Sequence, residues 1–115
     1  MLSNDTETVL SDLFHKNQNI QTVCLLNSIG TFSVFLNRSS VDEAEKKRLA
    51  ASIMASVVLA ERSIMNLVQE HVKHLVIRGE NAKTIIFITN SGNYLYVLSD
   101  NDFNDKILFD LDFKF

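Results

Sequence analysis

A chain of 115 residues suffices for one domain, because at this size roughly two-thirds of the unfolded surface is hidden without help from a disulfide or a metal. Apolar residues make up 46% and charged residues 22%, an ordinary balance for a soluble globule. The net charge of −3 speaks against nucleic acid, whose binding needs a basic footprint to displace counterions.

The polar, acidic start Met1-Leu2-Ser3-Asn4-Asp5 lacks the positive and apolar regions of a signal peptide. The longest apolar stretch, Leu49 to Ala60, is interrupted by serines and short of the roughly 20 residues that span a bilayer. The expectation is a soluble, cytoplasmic protein with no membrane insertion. A lone cysteine, Cys24, fits a reducing compartment, and its neighbours Val23 and Leu25 mark it as a core residue.

Residues 5–16 carry Val9, Leu10, Leu13 and Phe14 on one face of a short helix. Ile20–Asn27 reads as a strand, Ser28-Ile29-Gly30 as a turn, and Thr31–Asn37 as the hairpin partner. Ser40 and Glu43 form a capping box for a long helix reaching about Glu70, with Asp42–Lys46 and Glu43–Lys47 as i,i+4 pairs. Val72–Gly79, Lys83–Asn90 and Tyr94–Leu98 read as three more strands, joined by Glu80-Asn81-Ala82 and Ser91-Gly92-Asn93. Gly30, Gly79 and Gly92 all fall where a turn would ask for positive φ. Phe103, Ile107, Leu108, Leu111 and Phe115 stripe a final helix, capped by Ser99 or Asp100. The predicted order is α-β-β-α-β-β-β-α. Val23-Cys24-Leu25-Leu26, Ile85-Ile86-Phe87-Ile88 and Tyr94-Leu95-Tyr96-Val97-Leu98 are apolar on both faces, which predicts an antiparallel sheet covered on both sides.

The long helix is unusual. Leu49, Ala50, Ile53, Met54, Val57, Val58, Ala60, Ile64, Met65, Leu67 and Val68 form one broad stripe for the sheet. The opposite face carries Ser52, Ala55, Ser56, Leu59 and Ser63, with Ala51 at its border, where charges belong. Either the helix lies deep within its own domain or this face meets a second copy. A chain this short has little left to cover it, which favours the second. Glu61 projects within the apolar stripe and calls for a cation from another element or subunit, since an unpaired buried carboxylate is costly.

Signs of catalysis or cofactor binding are missing. His71 and His74 come without HExxH or CxxC, so a structural or surface role is expected. Asp100-Asn101-Asp102-Phe103-Asn104 opens like a calcium loop, but Asp105 and Leu111 stand where glycine and glutamate are required. No phosphate-cradling loop or nucleophile elbow is present. The Lys46-Lys47-Arg48 run reads as a solvated face balancing the acids one turn earlier. A non-enzymatic chain without cofactor or metal is expected.

From about Leu10 to Leu111 the sequence resembles a roadblock domain, the family named for a dynein light chain. The likeness rests on the small-residue-rich helix from Leu49-Ala50-Ala51-Ser52 through Ala60-Glu61-Arg62, and on His74–Gly79, Thr84–Ile88 and Tyr94–Leu98 following in the family's order. Gly30 sits where the first hairpin commonly has glycine, although Ser28-Ile29-Gly30 departs from the frequent Asp-Gly turn. The resemblance implies residues 1–115 as one α+β domain of profilin-like, three-layer form, with five strands in the order 2-1-5-4-3. It also implies a homodimer, or a heterodimer with another roadblock chain, through side-by-side long helices and pairing of the third-strand edge, Val72–Gly79. The interface would then include Ala51, Ala55, Leu59, Arg62, His74 and Val76. The implied partner is a Ras-like small GTPase; a scaffold or motor light chain indifferent to nucleotide is the alternative. A ligand-sensing domain for a lipid-like molecule and a profilin-like actin binder are weaker competitors.

Overall fold

The computed structural model describes residues 4–111. Eight elements follow in the predicted order: α1 (Asn4–Lys16), β1 (Ile20–Leu26), β2 (Phe32–Asn37), α2 (Glu43–Val68), β3 (His74–Arg78), β4 (Ala82–Ile88), β5 (Tyr94–Asp100) and α3 (Lys106–Phe109). The strands make one antiparallel sheet in the order β2-β1-β5-β4-β3, which leaves β2 and β3 as edges.

Strands apolar on both faces feed two separate cores. Val23, Leu25, Ile85, Phe87, Leu95 and Val97 point to one side, where Leu10, Leu13 and Phe14 of α1 meet Phe103 and Leu108. Cys24, Leu26, Ile86 and Tyr96 point to the other, beneath Ala50, Ile53 and Val57 of α2. Residues alternate between the faces because successive side chains of a strand do. Val23, Cys24, Leu25 and Leu26 are all fully buried. Each large one contributes on the order of 1.5–3 kcal/mol of transfer free energy, so β1 anchors both layers at once. Burial pushes the Cys24 thiol well up, which makes it an inert core residue as expected. The same burial, with Cys24 beside it, pushes Tyr96 up to about 12.

Polar side chains fasten the outer helices. Arg38 follows β2 and lies 3.8 Å over the Phe14 ring. Its guanidinium donates to the carbonyls of Phe14, Asn17 and Ile20, which covers the end of α1 where helix carbonyls lack partners.

Several local expectations are corrected. Asp42, not Ser40, caps α2: its carboxylate accepts from the Glu45 amide at 2.8 Å. The chain enters the helix two residues later than the capping box required. Lys46 therefore pairs with Glu43 one turn back, at 3.5 Å, and not with Asp42. α2 stops at Val68, where Gln69 takes a left-handed conformation and donates its N–H to the Met65 carbonyl. Of the three glycines, Gly30 and Gly92 have positive φ and Gly79 does not. β3 starts at His74 and not Val72, β4 ends at Ile88, and β5 extends to Asp100. The final helix is a single turn whose N-cap, Asp105, makes no side-chain cap. Asp100 instead accepts from the Asp102 and Phe103 amides, closing the turn that precedes it, while Ser99 donates to the Asp100 carbonyl. Phe115 lies outside the described residues.

Candidate functional site

The 26 residues of α2 span about 39 Å, more than the sheet beneath can cover at about 3.3 Å per residue along its five- to seven-residue strands. Only Ala50, Ile53 and Val57 are buried. Beyond Val57 the helix overhangs. Val58, Leu67 and Val68, assigned by periodicity to the sheet, are 49%, 82% and 55% exposed. By length and composition alone α2 could cross a membrane. Here one stripe of it sits in the core with Leu49 and Met54 packed at its border, while Val58, Leu59, Leu67 and Val68 lie open.

On the outward side Ala51, Ala55 and Leu59 follow at four-residue spacing with Arg62 three further on, and all four are exposed. Leu59 is 64% exposed. This small-residue track would let another helix approach closely. His74 and Val76 are exposed too, but on the far side of the sheet. They pair with Phe87 and Ile85, which belong to the α1/α3 core. His74 stacks on Phe87 at 5.4 Å and meets Phe109 edge-on at 4.8 Å. Leu75 packs instead into the α2-side core, and Ile77, half exposed, shares its parity. Of the six residues expected at the interface, the four on α2 therefore form one surface and the two on β3 belong to another; the free β3 edge lies between them. Leu75 and Ile77 are the β3 side chains on the α2 side. Strand alternation placed them on one face in the sequence, but which face could not be read there.

Glu61 finds partners in its own chain. Its carboxylate meets His71 Nδ1 and accepts the Val72 amide at 3.0 Å. These hydrogen bonds hold its carboxyl below the ordinary value of 4.5, the backbone bond contributing most and His71 next. The left-handed turn at Gln69 is what brings His71 back over the helix. Beside this contact runs an apolar groove of about 590 Å³, lined by Val57, Val58 and Met65 of α2 against Val72, Ile88 and Tyr94.

Lys46 and Asp100, from the two remaining charged motifs, make contacts within the fold. Lys46 lies 4.9 Å over the Phe35 ring. The Asp100 carboxylate accepts from Asn19 as well as from its own turn, so its oxygens serve the backbone and the neighbouring loop. Among the described residues no group of three or more His, Cys, Asp or Glu side chains could hold a metal ion. The sequence marks Lys83 only as the start of a strand, yet it is 3% exposed. An apolar run flanking a lone lysine is the one signal that could have marked it.

A five-stranded sheet in this order, with one long helix on one face and two terminal helices on the other, has counterparts among solved structures. A roadblock/LC7 domain from Streptomyces avermitilis superposes with a TM-score of 0.75 at 17% identity, covering 88% of this chain and 82% of that one. The chain has a roadblock fold. The Myxococcus xanthus protein MglB matches with a TM-score of 0.67 at 20% identity over 90% of this chain and 82% of its own. An MglB described as having a tetrameric arrangement gives 0.68 at 12% identity, over 87% and 76%. No family model matches the sequence, and no curated protein does. The roadblock likeness is thus one of architecture, carried by the sheet order and the layers.

Proposed function

We propose that this chain is a non-enzymatic, dimeric roadblock module of the cytoplasm that binds or regulates a Ras-like small GTPase. One observation carries the reading: α2 presents Ala51, Ala55 and Leu59 uncovered, beside an unpaired sheet edge at β3. A two-fold axis through that edge and perpendicular to the sheet pairs two β3 strands antiparallel, joins two five-stranded sheets and lays two copies of the helix side by side on one face, satisfying both surfaces with one operation. The paired helices then form a broad platform away from the sheet, where a globular partner can sit. The partner's class follows from the resemblance to roadblock domains. Self-association of related folds is supported by the tetrameric arrangement described for one MglB. Another roadblock chain in place of the second copy would use the same surfaces.

The test uses tagged protein as bait in source lysate, run in parallel with GDP and a non-hydrolysable GTP analogue, with light scattering of the pure protein. A dimer mass and recovery of a Ras-like GTPase favoured by one nucleotide are expected. Recovery of nucleotide-indifferent subunits alone would replace the regulator with a scaffold or motor light chain.

A further inference from the structure

The two surfaces of the proposed dimer, α2 and β3, belong to consecutive elements, and what sets their mutual position is the short connection between them. That connection is residues 69–73. It reverses at Gln69 and then runs back along the last turns of α2. Two bonds from one carboxylate hold it there: Glu61 accepts from His71 Nδ1 and from the Val72 amide. One residue further, the Lys73 carbonyl accepts the Ile88 amide at 2.9 Å, and β3 begins at His74. Glu61 therefore fixes where β3 leaves the helix and enters the sheet.

We propose that Glu61 and His71 form a proton-sensitive clamp that holds the β3 edge in register with α2 and so couples self-association to pH. An ionised carboxylate only accepts, so the His71 Nδ1 in this contact carries a proton. Its other ring nitrogen, Nε2, is then the atom that gains or loses charge. With Nε2 protonated the contact is an ion pair; without it a neutral imidazole N–H donates to the carboxylate, a weaker contact because only one partner is charged. The His71 side chain is 83% exposed, so the proton exchanges freely with solvent. The other titratable groups lining the adjoining groove are Arg62 of α2 and Tyr94 of β5. Neither is an imidazole or a carboxylate. This leaves the Glu61–His71 pair as the groove's responsive element. The occupied clamp orders the start of β3, so association is tighter at the acid end of the range in which imidazoles gain charge, about pH 5 to 8.

This inference rests on the dimer reading, and its test separates the two. The dimer dissociation constant would be measured by sedimentation between pH 5.5 and 8 for the parent protein, His71→Gln and Glu61→Gln. The Val72 amide would be followed over the same range by NMR, which reads the clamp whether or not chains associate. A solvent-facing pair of this kind is worth at most about five-fold in an equilibrium constant. The expected result is a dissociation constant a few-fold lower at pH 5.5 in the parent protein, with the dependence removed in both variants. The Val72 resonance should shift with pH in the parent protein and stay flat in His71→Gln. A monomer whose Val72 resonance still titrates through His71 would keep the clamp and overturn the dimer. Parallel pH profiles in the parent protein and His71→Gln, in both readouts, would overturn the clamp.

Discussion

Lys83 Nζ donates to the Phe103 carbonyl at 2.6 Å, joining the start of β4 to the segment that closes over it. Asp105 Oδ1 stands 3.8 Å from the same ammonium, and the Phe103 ring lies 5.8 Å away. A lysine this buried is tolerated because it is partnered. It holds down residues 101–105, which carry Phe103 into the α1/α3 core.

Lys83→Met keeps the apolar stem and removes the ammonium, leaving the Phe103 carbonyl without its donor. Stability should fall by about 1–3 kcal/mol in urea unfolding. An unchanged midpoint would mean that solvent satisfies that carbonyl and that the lysine is dispensable.

The start of α2 offers a paired comparison. Asp42→Ala removes the observed cap and should cost about 1 kcal/mol, while Ser40→Ala should stay within about 0.5 kcal/mol. Thermal unfolding of the two variants side by side decides it; equal losses would restore Ser40 to the cap.

Leu59→Arg places a charge in the middle of the outward face of α2. Because Leu59 is largely exposed in the single chain, the variant should keep the parent circular dichroism spectrum. Its mass by light scattering should move from dimer to monomer. A dimer mass in the folded variant would remove Leu59 from the interface.

Glu61 also sets an acid limb. Its folded carboxyl titrates below the ordinary 4.5, so its contribution is present above that value and is lost as pH falls through the folded one. Urea midpoints of the parent protein should drop more steeply below about pH 4.5 than those of Glu61→Gln. Superimposable curves would show that the bonds from His71 and Val72 add nothing to folding.

The strands were legible because each is short, apolar and bounded by turn residues. Gly30 and Gly92 do adopt the positive φ those turns ask for. Cys24 was legible as core because its neighbours on both sides are apolar. The α2 cap was misread because Ser40 and Asp42 are both good capping residues, and only the path of the chain out of β2 chooses between them. Arg38 and Lys83 escaped notice for a related reason. Each acts on carbonyls that lie far away in sequence, at Phe14 and Phe103.

Periodicity and turn chemistry, both local properties, determined the element order, the two-sided sheet and the small-residue face of α2. The roadblock resemblance added a strand order that the structure shares. Which residues of α2 are covered was decided only in three dimensions. A helical period describes a face along its whole length, whereas cover depends on how far the sheet reaches beneath it. That is why Val57 is core while Leu67 and Val68, about three turns on, stand open; Val58, next to Val57, is open because one residue of helix turns it about 100° away. The same holds for Glu61: a left-handed turn at Gln69 folds the chain back and brings His71, ten residues on, against its carboxylate.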